Sequence, residues 1–184
     1  MILKEISMKQ SELDSWRMPG MAPIVSIEKL SKEVKSNYIV ATSGGYDPIH
    51  PGHISCMLEA SKLNKVLVVI VNGDWFLKNK KGKAFQDLKA RCQIVASIAC
   101  VDYVVPFPIE GDKSVSQAIE QMRPFIFAKG GDRTDAQNIA EWETCEAVGT
   151  RIVTGVGHPK HWSSSDFLKD WGEFVKKGFL AGNR

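Results

Sequence analysis

The stretch S-G-G-Y-D-P-I-H-P-G-H occupies residues 43–53 and joins an apolar segment to a predicted helix. The apolar segment, Y-I-V-A-T at residues 38–42, is typical of a buried strand, and residues 54–63 have the composition of a helix. Glycine and proline are concentrated in the stretch between them, so it predicts a loop that leads directly from a strand into a helix.

Strands and helices alternate along the rest of the chain at a spacing typical of a parallel sheet with right-handed crossovers. Further strands are predicted at residues 66–71, 101–106, 125–128 and 151–154. Further helices are predicted from residue 26 up to residue 37 and at residues 88–99, 115–121, 138–148 and 165–177. We therefore expect an α/β protein with a single Rossmann-like parallel-sheet domain at residues 37–184, preceded by an N-terminal arm and a short helix at residues 1–36.

Polar and turn-forming residues follow three of the predicted strands, at residues 43–53, 72–74 and 129–132. The carboxyl ends of parallel strands meet at one edge of a sheet, and ligands of such folds bind in the crevice beyond that edge. The three segments are therefore predicted to form one ligand site.

The composition argues against several classes of function. The 184 residues are 43% hydrophobic and 24% charged, as in an ordinary globular domain, and a net charge of +3 gives no reason to predict a nucleic-acid partner. The longest apolar run, residues 66–71, is too short to span a membrane. The four cysteines form no C-x-x-C pair and no secretory signal is evident, so we expect a cytoplasmic protein with reduced thiols.

Two histidines, His50 and His53, lie where the loop turns into the helix. A helix start offers free N–H groups and a partial positive charge, and imidazoles add donors for phosphate oxygens. Gly44, Gly45 and Gly52 allow the backbone to approach a ligand closely. The segment therefore favours a phosphate site in which positioned donors stabilise charge during phosphoryl-type transfer.

Other interpretations of these residues remain open at this point. A histidine at a helix start is often a cap or a surface residue, and His50, His53 and Cys56 have the spacing of metal ligands on one helix face. The lysines at positions 78, 80, 81 and 83 form a basic cluster that is equally typical of a solvated loop.

The quoted stretch resembles the G-x-F-D-x-x-H-x-G-H signature of the cytidylyltransferase-like nucleotidyltransferase superfamily. The chain is most similar to the adenylyltransferase domain of ADP-heptose synthase and more distantly similar to glycerol-3-phosphate cytidylyltransferase. Four further motifs occur in the family's order, and the resemblance covers most of the chain. They are V-N-G-D at residues 71–74, K-G at residues 81–82 followed by Arg91, K-G-G-D at residues 129–132, and S-S-S at residues 163–165.

The resemblance implies a role for each matching residue. His50, His53 and Lys81 are expected to be catalytic, contacting or clamping phosphates. The acceptor is expected to contact Asp74, Lys78, Lys81 and Trp162. The nucleotide is expected to contact Gly44, Gly45, Tyr46, Asp47, His50, His53, Arg91, Lys129, Gly130, Gly131, Asp132, Ser163, Ser164 and Ser165. Asp47 and Asp74 are further candidates for indirect partners of the metal or of the histidines.

The resemblance also implies the reaction. A nucleoside monophosphate, AMP in preference to CMP, is expected to move from an NTP to a sugar or polyol phosphate with release of pyrophosphate. Mg²⁺ is expected to arrive with the NTP, without a tight metal site in the free protein. The alternatives are a cytidylyltransferase that uses CTP and a glycerol or alditol phosphate, and a nucleotide-binding module without turnover. A homodimer is also expected, because relatives commonly dimerise and the N-terminal arm carries apolar residues, among them Leu13 and Trp16.

The sequence departs from the family pattern in two places. Tyr46 stands where the family usually has phenylalanine, and residues 158–162, H-P-K-H-W, replace a glycine-rich approach to the serine motif. The second departure is expected to reshape the acceptor pocket. Its aromatic and polar side chains, with Trp75, suit a multihydroxyl substrate.

Overall fold

The computed structural model describes residues 8–112, 114–131, 135, 137–159 and 161–178, and it contains a five-stranded, all-parallel sheet with helices packed around it. The predicted α/β fold is therefore confirmed. The strands are β1 (Ile39–Gly44), β2 (Val66–Asn72), β3 (Tyr103–Phe107), β4 (Ile126–Ala128) and β5 (Arg151–Val153). The helices are α1 (Gln10–Trp16), α2 (Ile27–Glu33), α3 (Pro51–Ser61), α4 (Asp74–Lys81), α5 (Leu88–Ala96), α6 (Ser116–Met122), α7 (Trp142–Val148) and α8 (Ser164–Lys176).

The strand order β3-β2-β1-β4-β5 places β1 at the centre of the sheet. On one side β1 pairs with β2 from Ile39↔Val66 to Gly44↔Val71, and on the other side it pairs with β4 at Val40↔Ile126. The chain thus winds outward from β1 in both directions, and the switch point lies between β1 and β4. Open α/β sheets bind ligands at the carboxyl ends of the strands beside such a point.

The core lies on both faces of the sheet. Leu67, Val69 and Val71 of β2 join one apolar cluster, while Val68 and Ile70 join the cluster on the opposite face. Neighbouring side chains of a strand point to opposite faces, so a strand covered on both sides must be apolar throughout. This is why the uninterrupted apolar run at residues 66–71 is a strand of the sheet.

Two helices differ from the prediction near the site. Helix α3 begins at Pro51 rather than at residue 54, because proline is well suited to the first helical position and His50 caps the helix. Of its expected core residues only Met57 is buried, whereas Leu58 and Leu63 are exposed. The lysines at 78, 80 and 81, predicted in a loop, lie in the last turn of α4, where they complement the helix dipole.

The N-terminal segment packs into the domain through α1, a helix that the sequence analysis did not predict. Leu13 is 1% exposed and Trp16 is 8% exposed, and both belong to the apolar cluster under β2. Gln10 bonds the backbone of Ile24 and Ser26, which precede α2. Leu13 and Trp16 are therefore not available as the dimer contacts on which the expectation of a homodimer partly rested. Nowhere in the described ranges is a helix both long enough and apolar enough to traverse a bilayer.

We expect the Leu13→Ala substitution to lower the free energy of unfolding by about 2–5 kcal/mol, because it empties a fully buried site. Met18→Ala is the matched control, since Met18 is 48% exposed and its truncation should cost less than about 0.5 kcal/mol. Urea denaturation of both variants measures the difference. Equal midpoints for the two variants would show that α1 contributes nothing to the core.

Candidate active site

A cavity of about 520 Å³ opens at the carboxyl ends of β1, β2 and β4, and we call it the pocket. It lies beside the switch point, as the polar segments after the strands predicted. Its walls come from residues 42–46, Asn72, the start of α3, one side of α4, residues 129–131, 138, 140 and 141, and residues 158–165 apart from the undescribed position 160. Both α3 and α8 begin at this wall, so two helix N-termini with free N–H groups lie on one pocket.

His50 and His53 form a stacked pair at the start of α3. Their ring centroids lie 3.6 Å apart with an angle of 18° between the ring planes. Nδ1 of His50 accepts from the backbone N–H of His53 at 3.4 Å and so caps the helix. In a neutral ring with an accepting Nδ1 the proton sits on Nε2. His50 therefore has two roles. Its Nδ1 caps the helix, as is common for a histidine at a helix start, and its Nε2–H is a donor for a ligand.

Burial keeps both rings neutral at pH 7. It lowers the pKa of His50, and it lowers the pKa of His53 to about 3, with smaller contributions from His50 and the ammonium of Lys80. The edge of Tyr46 meets the His53 ring at a centroid distance of 5.0 Å. The pair therefore offers neutral hydrogen-bond donors rather than fixed positive charges.

The three serines before α8 have separate roles. Ser163 caps the helix by accepting from the N–H of Asp166 at 3.3 Å, and Ser164 donates to the carbonyl of Pro48 at 2.8 Å. Ser165 lines the pocket, and in the described contacts it neither caps the helix nor bonds the carbonyl of Pro48. The helix start is thereby tied to the loop at residues 45–50, which we call the signature loop.

Lys80 and Lys81 point in different directions from α4. Lys80 lines the pocket, and its charge contributes to the lowered pKa of His53. Lys81 instead forms an ion pair with the buried carboxylate of Asp47 at 2.6 Å. The Lys81 side chain is only 10% exposed. The structure therefore assigns the pocket position of the basic cluster to Lys80, which the sequence analysis placed only within the cluster, and not to Lys81.

Asp47 holds the signature loop against the segment between α4 and α5. Its two carboxylate oxygens accept from the N–H groups of Phe85 and Gln86, both at 2.8 Å, and the side chain has no exposed surface. Asp47 does not line the pocket, and its contacts support the signature loop from behind.

Arg91 is also a supporting residue rather than a phosphate ligand. It is fully buried, and it donates to the carbonyls of Gly45, Asn72 and Gln86 and to the carboxylate of Asp74. These contacts use the guanidinium beneath the strand ends, where a phosphate has no access. Asp74 is correspondingly engaged by Arg91 at 2.5 Å and does not line the pocket.

The remaining predicted residues divide between the pocket and the surface. Lys129, Gly130, Gly131 and Trp162 line the pocket, whereas Lys78 is exposed outside it and Trp75 does not reach its wall. Gly130 is needed there, because a Cβ would meet the carbonyl oxygen of Val156 at 2.8 Å. Asp132 and Lys160 lie outside the described residues.

Glu141 is a pocket residue that sequence reasoning missed. Its side chain is 5% exposed and lies 3.1 Å from the ammonium of Lys129. The only available signal was an acidic residue in the first turn of the helix predicted at residues 138–148, a position that usually indicates a favourable interaction with the helix dipole. As for metals, the described residues contain no group of three or more His, Cys, Asp or Glu side chains able to hold an ion.

Comparison with known proteins shows which family the chain resembles. The cytidylyltransferase-like family model matches residues 41–166. The bifunctional protein HldE of Haemophilus ducreyi is 36% identical over 154 residues, which are 82% of this chain and 31% of that protein. HldE of Nitrosococcus oceani is 38% identical over 117 residues, 62% of this chain and 24% of that protein. The chain thus spans less than a third of the length of these relatives.

Solved structures of similar proteins have the same fold. The lipopolysaccharide core biosynthesis protein from Thermoplasma volcanium superposes with a TM-score of 0.56 at 26% identity, covering 65% of this chain and 97% of that one. A bifunctional NMN adenylyltransferase/ADP ribose pyrophosphatase from Francisella tularensis has a TM-score of 0.53 at 12% identity, covering 74% and 42%, which supports the fold alone. The resemblance to ADP-heptose synthase drawn from the motifs is confirmed, and the chain belongs to the cytidylyltransferase-like family of nucleotidyltransferases.

Proposed function

We propose that the chain transfers AMP from ATP to a sugar or polyol phosphate and releases pyrophosphate. The observation that carries the proposal is the stacked pair of neutral histidines, His50 and His53, on a pocket wall that also contains the start of α8. Such preorganised donors suit the charge that develops on the α-phosphate and on the leaving group.

The reaction needs no covalent intermediate on the protein. An oxygen of the acceptor phosphate attacks the α-phosphorus of ATP, and the new P–O bond forms as the bond to the α–β bridging oxygen breaks. Pyrophosphate leaves with that electron pair. The histidines donate to the α-phosphate, while Ser165, the free N–H groups at the start of α8 and Lys80 stabilise the other phosphates.

Mg²⁺ belongs to the nucleotide in this proposal. A magnesium ion prefers one or two carboxylates together with phosphate oxygens. Among the described residues that line the pocket, Glu141 is the one carboxylate, and it is paired with Lys129. Asp47 and Asp74 are engaged by Lys81 and Arg91. The part of the chain that the structure describes thus offers no metal cage, and Mg²⁺ would supply charge neutralisation as part of the substrate.

The choice of substrates rests on similarity and on the shape of the pocket. The resemblance to the adenylyltransferase domain of ADP-heptose synthase favours ATP, while the family's other branch keeps CTP with a glycerol or alditol phosphate as the second candidate. Trp162 and His161 line the pocket with aromatic and polar surface for a hydroxyl-rich acceptor. A pyrophosphate-release screen that crosses ATP and CTP with heptose, hexose, glycerol and alditol phosphates tests both, and no release with any pair would leave only a binding module.

We expect His53→Ala to lower turnover by about two to three orders of magnitude, because it removes one preorganised donor. His53→Gln retains an amide donor at this position and should lose less. Steady-state pyrophosphate release measures both, with circular dichroism as the check on folding. A folded His53→Ala protein with wild-type turnover would contradict the catalytic role.

The buried His53 should also make the fold sensitive to acid. Its pKa is about 3 in the folded chain, against about 6.5 for an exposed histidine, so only the unfolded state takes up the proton between these values. The contribution of His53 to the free energy of unfolding is therefore fully present above about pH 6.5, and it is lost as the pH is lowered toward 3.

In His53→Gln this contribution disappears. Between pH 6.5 and 5 the free energy of unfolding should depend on pH less steeply than in the wild type, by at most about 1.4 kcal/mol per pH unit. Urea titrations at several pH values measure the slopes. Identical slopes in the two proteins would show that His53 takes up its proton equally in both states.

We expect Lys80→Ala to lower kcat/KM for pyrophosphate release by about ten- to a hundredfold, because it removes a charge-assisted donor from the pocket. Lys78→Ala is the matched control, since Lys78 lies on the same helix but outside the pocket wall. An equal loss in both variants would assign the effect to the general charge of α4 rather than to Lys80.

A further inference from the structure

Glu141 is a buried acid that the proposed reaction does not use. It precedes α7, is 4% exposed as a residue and contributes to the pocket wall. Its Oε1 accepts from the N–H of Val115, at the start of α6, at 3.3 Å. Its Oε2 lies 3.1 Å from Nζ of Lys129, in an ion pair whose two side chains are each 5% exposed.

Through this pair Glu141 reaches the switch point of the sheet. Nζ of Lys129 donates to Oγ of Ser43 at 3.2 Å and lies over the ring of Phe127, 4.5 Å from its centroid. Ser43 belongs to β1, and Lys129 directly follows β4. The ammonium therefore bridges the two strands between which the winding direction reverses, and Glu141 is anchored from outside by α6.

The ion pair between Glu141 and Lys129 adds little to the free energy of unfolding. Removing two charges from water costs about as much as their attraction returns, so buried ion pairs rarely add net stability. The pair is also neutral as a whole and does not attract a polyphosphate, in contrast to Lys80 on the β2 side of the pocket. The β4 side, where Lys129 and Glu141 lie, thus suits an uncharged, hydroxyl-bearing group.

We propose that Glu141 is a positioning residue that holds the Lys129 ammonium at the β1–β4 switch point, where it contacts the nucleoside of the bound NTP. The inference rests on the proposed nucleotidyl transfer. With the α-phosphate over His50 and His53 at the end of β1, the charged phosphates face Lys80 and the helix starts. The nucleoside, the uncharged part of the nucleotide, then occupies the side of the neutral pair.

Calorimetric titration with ATP and with inorganic tripolyphosphate separates this role from a general one. Glu141→Gln should weaken ATP binding by about tenfold or more, because Lys129 loses its anchor, and should leave tripolyphosphate binding within about twofold. Glu143→Gln is the matched control, since Glu143 is an exposed acid in the first turn of α7. It should leave both affinities unchanged.

Two results would overturn the inference: equal weakening of ATP and tripolyphosphate, which would assign the pair to the phosphates, and no change with either ligand. A wild-type protein that binds no ATP would refute the proposed function and this inference with it. A wild-type protein that binds ATP while Glu141→Gln behaves as wild type would refute the inference alone.

A second set of variants guards against loss of the fold, because Glu141→Gln leaves the Lys129 charge buried without its carboxylate. The double variant Lys129→Met/Glu141→Gln removes both charges, whereas Lys129→Met leaves the Glu141 carboxylate buried without its ammonium, so circular dichroism checks that each variant is folded. If Glu141 acts through Lys129, both should bind ATP equally weakly, within about twofold, and bind tripolyphosphate as the wild type does. A further large loss of ATP affinity in the double variant would show that Glu141 acts independently of Lys129.

Discussion

The buried carboxylate of Asp47 holds together the parts of the chain that form the pocket. It accepts from two backbone N–H groups of the segment between α4 and α5 and pairs with Lys81 of α4. A carboxylate without exposed surface is stable only when such partners compensate its charge. Because Asp47 lies three residues before His50, the position of the first turn of α3 depends on these contacts. Lys81 and Arg91 therefore contribute to the site by supporting the signature loop from beneath.

Among the residues that the structure describes, these ion pairs leave few cations for the ligand. The ammonium of Lys81 and the guanidinium of Arg91 are committed to Asp47, Asp74 and backbone carbonyls. Lys129 is balanced by Glu141. A phosphate that enters the pocket therefore meets mainly neutral imidazoles, helix N–H groups and Lys80. Affinity for anions in this site comes from positioned dipoles more than from net charge.

The sequence predicted the sheet and the place of the site for a physical reason. A short apolar run such as residues 66–71, rich in β-branched residues, is typical of a strand covered on both faces, and the polar segments that follow parallel strands meet at one edge of the sheet. The face of a helix from which a given side chain projects was harder to predict. Lys80 and Lys81 are adjacent and identical in type, yet only the backbone of α4 determines that one faces the pocket and the other Asp47.

Burial was the second property that motif spacing did not reveal. An arginine matching a family motif is equally suited to bind a phosphate or to donate to main-chain carbonyls, and Arg91 does the latter because the strand ends enclose it. Helix α1 was missed because its seven residues carry only Leu13 and Trp16 as buried anchors, too few for a recognisable period. Its helical state follows from the core that these two side chains enter.

The neutrality of the histidine pair fits this arrangement of charges. Two cationic rings stacked 3.6 Å apart would repel one another and would require nearby carboxylates. Among the described residues of the pocket wall the single carboxylate, Glu141, is already paired. Burial of the rings avoids this conflict by keeping them uncharged. An incoming triphosphate brings the negative charge that favours donation from both rings, so the strongest hydrogen bonds of the site form only when the substrate is bound.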